Sequence, residues 1–144
     1  NSAKGGVSIL ADGEKIYNYI KKKNPKIIKI LSKKFYFERR GFKKNSNYIF
    51  KAPIFKKNKE NFEFRYLREY IINAYKIKDK KISKEKLKSL DFLDKCLGNK
   101  NMQSKYKLSE GEIIIINNKS MAHGRTSFNL NKLEQRKIMR IWLK

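Results

Sequence analysis

Four consecutive isoleucines, Ile113-Ile114-Ile115-Ile116, follow the turn Ser109-Glu110-Gly111 and run into Asn117. Such a run has no polar face, so residues 112–117 are predicted to form a strand buried on both sides. The end of the chain makes a similar demand. At strand periodicity Arg136, Ile138, Arg140 and Trp142 share one face, and Lys137, Met139, Ile141 and Leu143 share the other. Both faces are substantially apolar, which predicts a central strand over 136–143.

The rest of the sequence places strands at both ends with helices between them. Residues 3–13 read as turn, short strand, turn, with Gly5 and Gly6 allowing backbone shapes that other residues avoid. Ile16, Tyr19 and Ile20 have helical spacing over 14–24, and the helix should stop where Pro25 disfavours helix in its predecessor. A second short helix is expected over 26–31. Residues 35–38, 48–55 and 62–67 look extended, with Pro53 marking a strand end or an edge. A helix or turn near 68–75 leads to an amphipathic helix that Ser83 caps and Gly98 closes, and a strand follows at 105–108. One domain over 1–144 is expected, α+β or mainly β with inserted helices, with a helical insertion roughly at 68–98.

A chain of 144 residues with 40% hydrophobic residues can build one real core. No apolar run approaches the length of a membrane span, and no signal peptide opens the sequence. Cys96 is the single cysteine, so it has no partner for an internal disulfide; a small buried hydrophobe is its expected role, in a reducing, cytoplasmic setting. The net charge of +24 invites a nucleic-acid reading. Against it, only seven of the 37 basic residues are arginine. The lysine excess comes with inflated asparagine and isoleucine, the signature of AT-rich codons. A surface dedicated to phosphates and base edges would use arginine's planar fork more. A solvated lysine surface is therefore expected, and nucleic acid is not the expected partner, although the field favours an anionic small molecule.

The chemistry concentrates near the C-terminus. His123 is the only histidine, in the segment Asn117-Asn118-Lys119-Ser120-Met121-Ala122-His123-Gly124-Arg125-Thr126-Ser127-Phe128. From the residues alone it is either a structural or surface histidine or a metal ligand. Arg136 and Arg140 on an apolar strand must each find an anion, because an unpaired buried charge costs several kcal/mol. A protein carboxylate and the carboxylate of a bound small acid serve equally well.

Asn117-Asn118, then His123-Gly124-Arg125-Thr126-Ser127-Phe128, then Arg136-Lys137-Ile138-Met139-Arg140-Ile141-Trp142-Leu143 resembles the C-terminal signature of one family. It is similar to the Fe(II)/2-oxoglutarate-dependent oxygenases of the taurine dioxygenase and clavaminate synthase type. Gly5-Gly6-Val7-Ser8 is similar to that family's Gly-Gly-x-Ser/Thr segment, and Leu108-Ser109-Glu110-Gly111-Glu112 to its approach to the second metal histidine. The resemblance touches both ends of the chain in the right order, and the middle fits in layout.

The resemblance implies a double-stranded β-helix (jelly-roll) core and an iron held by two histidines and a carboxylate. His123 matches the distal histidine. Arg136 matches the arginine that clamps the far carboxylate of 2-oxoglutarate, and Ser8 the hydroxyl that helps hold it. Arg140 matches an arginine near the co-substrate or the substrate. Arg125 and Asn118 belong to the motif as supporting residues. The implied reaction uses O2 and 2-oxoglutarate to oxidise, usually to hydroxylate, a small polar or amino-acid-like substrate. The family's first histidine and carboxylate lie in a His-x-Asp/Glu motif upstream of the Gly-Gly-x-Ser segment. The chain is therefore expected to be the C-terminal portion of such an enzyme, without its early strands and inactive alone. The competing expectation is a basic, non-enzymatic module that binds nucleic acid or another polyanion.

Overall fold

The computed structural model describes residues 6–39, 48–127, 139 and 141. Strand β1 (Ser8–Asp12) runs directly into helix α1 (Gly13–Lys23), which a proline-led turn joins to α2 (Pro25–Leu31). The second turn expected near Asp12 is a helix start instead. The Asp12 carboxylate accepts hydrogen bonds from the backbone N–H groups of Glu14 at 2.8 Å and Lys15 at 3.2 Å, satisfying two of the donors that a helix leaves open. Strands β2 (Lys34–Glu38) and β3 (Ile49–Pro53) pair antiparallel, Phe35 opposite Ala52 and Phe37 opposite Phe50.

The extended run expected over 48–55 is divided. β3 ends at Pro53, the Ile54 N–H donates to the Leu31 carbonyl at 2.9 Å, and β4 (Phe55–Lys57) pairs with β5 (Phe62–Phe64) in a different sheet. Helices α3 (Arg68–Ile77) and α4 (Lys84–Gly98) follow. The Ser83 hydroxyl caps α4 by accepting from the Lys86 N–H at 3.3 Å. Gly98 is the last helical residue rather than the stop after it, and Asn99 is the cap. A single 3₁₀ turn (Lys100–Met102) precedes β6 (Ser104–Tyr106), and β7 (Met121–Arg125) comes last among the described elements.

Described residues are thus mixed helix and strand, with small antiparallel sheets of order β6-β1-β7, β2-β3 and β4-β5. This is the α+β alternative of the two expected from the sequence. Helices keep their share because their apolar stripes have somewhere to go: Ile16 and Ile20 of α1, Leu31 of α2, Ile71 of α3 and Leu90 and Leu93 of α4 are fully buried around Phe35, Ile54 and Phe55. Cys96 joins this core at 5% exposure, as its apolar setting suggested.

The isoleucine run is the clearest correction. Residues 112–117 form no strand, and Ile113 and Ile115 are 84% and 81% exposed, while Ile114 and Ile116 are half-buried. β-branched residues favour an extended backbone, but a strand exists only where a neighbour accepts its hydrogen bonds, and among the described residues none pairs with this run. Of the strand expected over 136–143, only Met139 and Ile141 are described; both are exposed, and neither is in a strand.

Candidate functional site

The β1–β7 pair brings the two ends of the resemblance together. In this antiparallel ladder Ser8 lies opposite Arg125, Leu10 opposite His123 and Asp12 opposite Met121. Residues opposite one another project to the same face, so Ser8, Leu10, His123 and Arg125 share one side. Ser8 and His123 are then diagonal neighbours, a relation that places Cα atoms roughly 7–8 Å apart. Ser8 is half-buried and His123 is exposed.

Beyond the strands the pairing continues through the glycine segment. The Gly6 N–H donates to the Ser127 carbonyl at 3.2 Å, and the Thr126 N–H to the Val7 carbonyl at 3.0 Å. The Thr126 hydroxyl accepts from the Val7 N–H at 3.0 Å, and the Arg125 Nε donates to the Gly6 carbonyl at 3.3 Å. Gly6 has φ +68°, the left-handed region that a side chain disfavours. Arg125 and Thr126 therefore fasten the two motif segments to each other.

At the other end of the ladder, the Gly13 N–H donates to the Ser120 carbonyl at 2.9 Å, and the Phe64 N–H to the Lys119 carbonyl at 2.7 Å. A Cβ on Gly13 would lie 2.5 Å from the Ser120 carbonyl oxygen and 2.6 Å from the Phe64 ring. The residues leading into β7 are thus pinned to both α1 and β5, which sets the position of His123.

Arg136 and Arg140 lie outside the described residues. Among the described residues no group of three His, Cys, Asp or Glu side chains is arranged to hold a metal ion. Asp12 is on the His123 face of β1, but its carboxylate is occupied by the N-terminus of α1. With one histidine in the sequence, a centre of two imidazoles and a carboxylate does not fit the residues present.

Two features were not legible in advance. Asp94 on α4 accepts from the Tyr66 hydroxyl at 2.5 Å and from the Arg68 guanidinium at 2.5 Å, and Arg68 also donates to Asp91 at 2.7 Å. Burial, and then the Asp94 carboxylate, push the Tyr66 phenol well above its ordinary pKa. Asp91 and Asp94 stand three apart on one helix face, yet sequence spacing does not say what that face meets. The second feature is a cleft of about 310 Å³ between β5 and the turn before β7, lined by Glu63, Phe64, Arg65, Tyr66, Asn118 and Lys119.

No helix among the described residues is long and apolar enough to cross a membrane. No curated protein matches the chain. The profile of the family described as taurine catabolism dioxygenase TauD, TfdA family matches residues 1–142. The match runs through the Gly-Gly-x-Ser segment, the His123 segment and the two late arginines, and the chain accordingly belongs to the TauD, TfdA family of dioxygenases, whose members typically use Fe(II) and 2-oxoglutarate.

Proposed function

We propose that this chain carries the co-substrate half of an Fe(II)/2-oxoglutarate oxygenase centre. His123 would supply one of the imidazoles that hold the iron. Ser8 and Arg136 hold the far carboxylate of 2-oxoglutarate, and Arg140 lies near the co-substrate or the substrate. The observation that carries this reading is the β1–β7 register, which sets Ser8 diagonal to His123 on one face although 115 positions separate them in sequence. With both on one face, the Ser8 hydroxyl would hold the far carboxylate of a short keto-acid whose other end would meet an iron held by His123. When bound, the iron would supply the oxidative chemistry, using O2 on a small polar or amino-acid-like substrate. The chain's own residues would orient the co-substrate and compensate its charge.

A second histidine and the carboxylate ligand are required for turnover, and the 144 residues hold no second imidazole. The chain by itself therefore binds 2-oxoglutarate without oxidising anything. A jelly-roll core and a reducing, cytoplasmic setting belong to the same reading, the latter on the single buried thiol.

The direct test is calorimetric titration of the 144-residue chain with 2-oxoglutarate in metal-free buffer. Saturable binding that Arg136→Met removes and Ser8→Ala weakens is the expected result. Binding that survives Arg136→Met unchanged would end the assignment of the clamp. Succinate formed by the chain alone with Fe(II) and O2 would refute its inactivity.

A further inference from the structure

The cleft between β5 and the turn before β7 has an unbalanced lining. Among the described residues Glu63 is its one carboxylate, and the Lys56 ammonium already donates to it at 3.0 Å across the β4–β5 pair. That hydrogen bond holds the Glu63 carboxyl below the usual range, and Arg65 and Lys119 lower it further. Three cations thus converge on one anion.

The other linings are committed elsewhere. The Tyr66 hydroxyl donates to Asp94, and the Phe64 ring stacks on Phe55 with centroids 4.9 Å apart. The Arg65 guanidinium rests over the Phe50 ring, 5.3 Å from its centroid, a contact that leaves its N–H donors to point elsewhere. Among the described residues neither Arg65 nor Lys119 makes a salt bridge, and the Lys119 ammonium makes no hydrogen bond.

The walls are also firmly placed. The 2.7 Å bond from the Phe64 N–H to the Lys119 carbonyl ties β5 to the turn, and the Arg65 N–H donates to the Ile54 carbonyl at 2.8 Å. Two cations and the Asn118 amide therefore border a space of about 310 Å³, at the lower end of the range for small-molecule sites.

We propose that this cleft is a subsite for the carboxylate end of a small organic acid, with Arg65 and Lys119 as its counter-charges and Asn118 as a neutral donor. It lies just ahead of the strand that carries His123, at the opposite end of the β1–β7 ladder from Ser8. The subsite is thus separate from the position assigned to 2-oxoglutarate. As a statement of substrate class, an acid rather than a neutral or cationic molecule, it rests on the oxygenase reading; as an anion site it does not.

The experiment is an amide NMR titration of the chain with malonate, whose two carboxylates can bridge neighbouring cations, and with the neutral malonamide as control. Saturable shifts at Phe64, Asn118 and Lys119 with malonate and none with malonamide are expected. Lys119→Met and Arg65→Met should each weaken this binding at least about tenfold, as loss of a charge-assisted contact does. Arg136→Met should leave it unchanged. Shifts that grow linearly without saturation, or that persist in Lys119→Met, overturn the subsite. Malonate binding lost in Arg136→Met but kept in Lys119→Met overturns it too, while leaving the co-substrate clamp standing. If instead 2-oxoglutarate fails to bind and the cleft still takes malonate, the oxygenase reading fails and the anion site survives.

Discussion

Gly13→Ala should destabilise the protein even though Gly13 is helical and alanine is the better helix former. In most helices the exchange gains up to ~1 kcal/mol. Here the added Cβ would sit 2.5 Å from the Ser120 carbonyl oxygen, 2.6 Å from Phe64 Cδ1 and 2.7 Å from Phe64 Cβ, where ordinary contact begins at 3.4 Å. Neither neighbour can retreat cheaply. The Ser120 oxygen accepts the Gly13 N–H at 2.9 Å, and Phe64 is buried against Phe55. Overpacking of this kind costs about 1–3 kcal/mol, and a weakened hydrogen bond adds about 1. After the helical gain is subtracted, a net loss of about 1–3 kcal/mol remains. With a urea slope of about 1–3 kcal/mol/M, the denaturation midpoint should fall by on the order of 1 M. Gly98→Ala is the matched control, because nothing lies within 4 Å of its Cβ position; it should raise stability by up to ~1 kcal/mol. Since Ser120 immediately precedes β7, the Gly13 variant should also speed hydrogen exchange at the Ala122 and His123 amides. A Gly13→Ala midpoint at or above that of the parent protein would refute the close approach, and with it the account of how β7 is anchored.

Three further outcomes can be checked in solution. Asp12→Ala removes the carboxylate that caps α1 through Glu14 and Lys15, and should cost about 1 kcal/mol by urea denaturation, with Asp12→Asn losing less. The folded state holds the Tyr66 proton above the ordinary phenol value of 10.0, so the stability it contributes is complete below about pH 10 and declines as pH rises beyond it. Tyr66→Phe should flatten that alkaline loss, and equal slopes above pH 10 in the two proteins would show that Tyr66 is not the group responsible. Burial pushes the Cys96 thiol up and closes it off. Ellman's reagent should therefore react slowly in buffer and at once in denaturant, and fast labelling of the native protein would contradict its place in the core.

How much of this was legible in the sequence follows from the range of the interactions concerned. The α1 and α4 helices could be read from spacing, because apolar residues at 3.6-residue periodicity and a serine at position 83 act within a few residues of themselves. The start of α1 was less legible: Asp12 looked like a turn residue, and turns and helix caps use the same side-chain chemistry. The split at Ile54 depends on Leu31, more than twenty positions away, supplying the acceptor that turns the chain into a second sheet. The four isoleucines misled for a related reason. Their composition states a preference for extended backbone and burial, but only a neighbouring strand can satisfy it.

The candidate site divides in the same way. Residue identities alone marked His123, Ser8, Arg136 and Arg140, through a pattern that places them in the TauD, TfdA family. They could not say that Ser8 and His123 share a face, because register between strands 115 positions apart is set by tertiary pairing, and a slip of one residue would turn one of them to the other side. Nor could they show Asp94 holding Tyr66 and Arg68, or Arg65 and Lys119 bordering one cleft. The sequence by itself determined which chemical groups are available and which stretches favour helix. Only the folded chain decided which of those groups meet, since contacts between distant segments depend on the packing of everything between them.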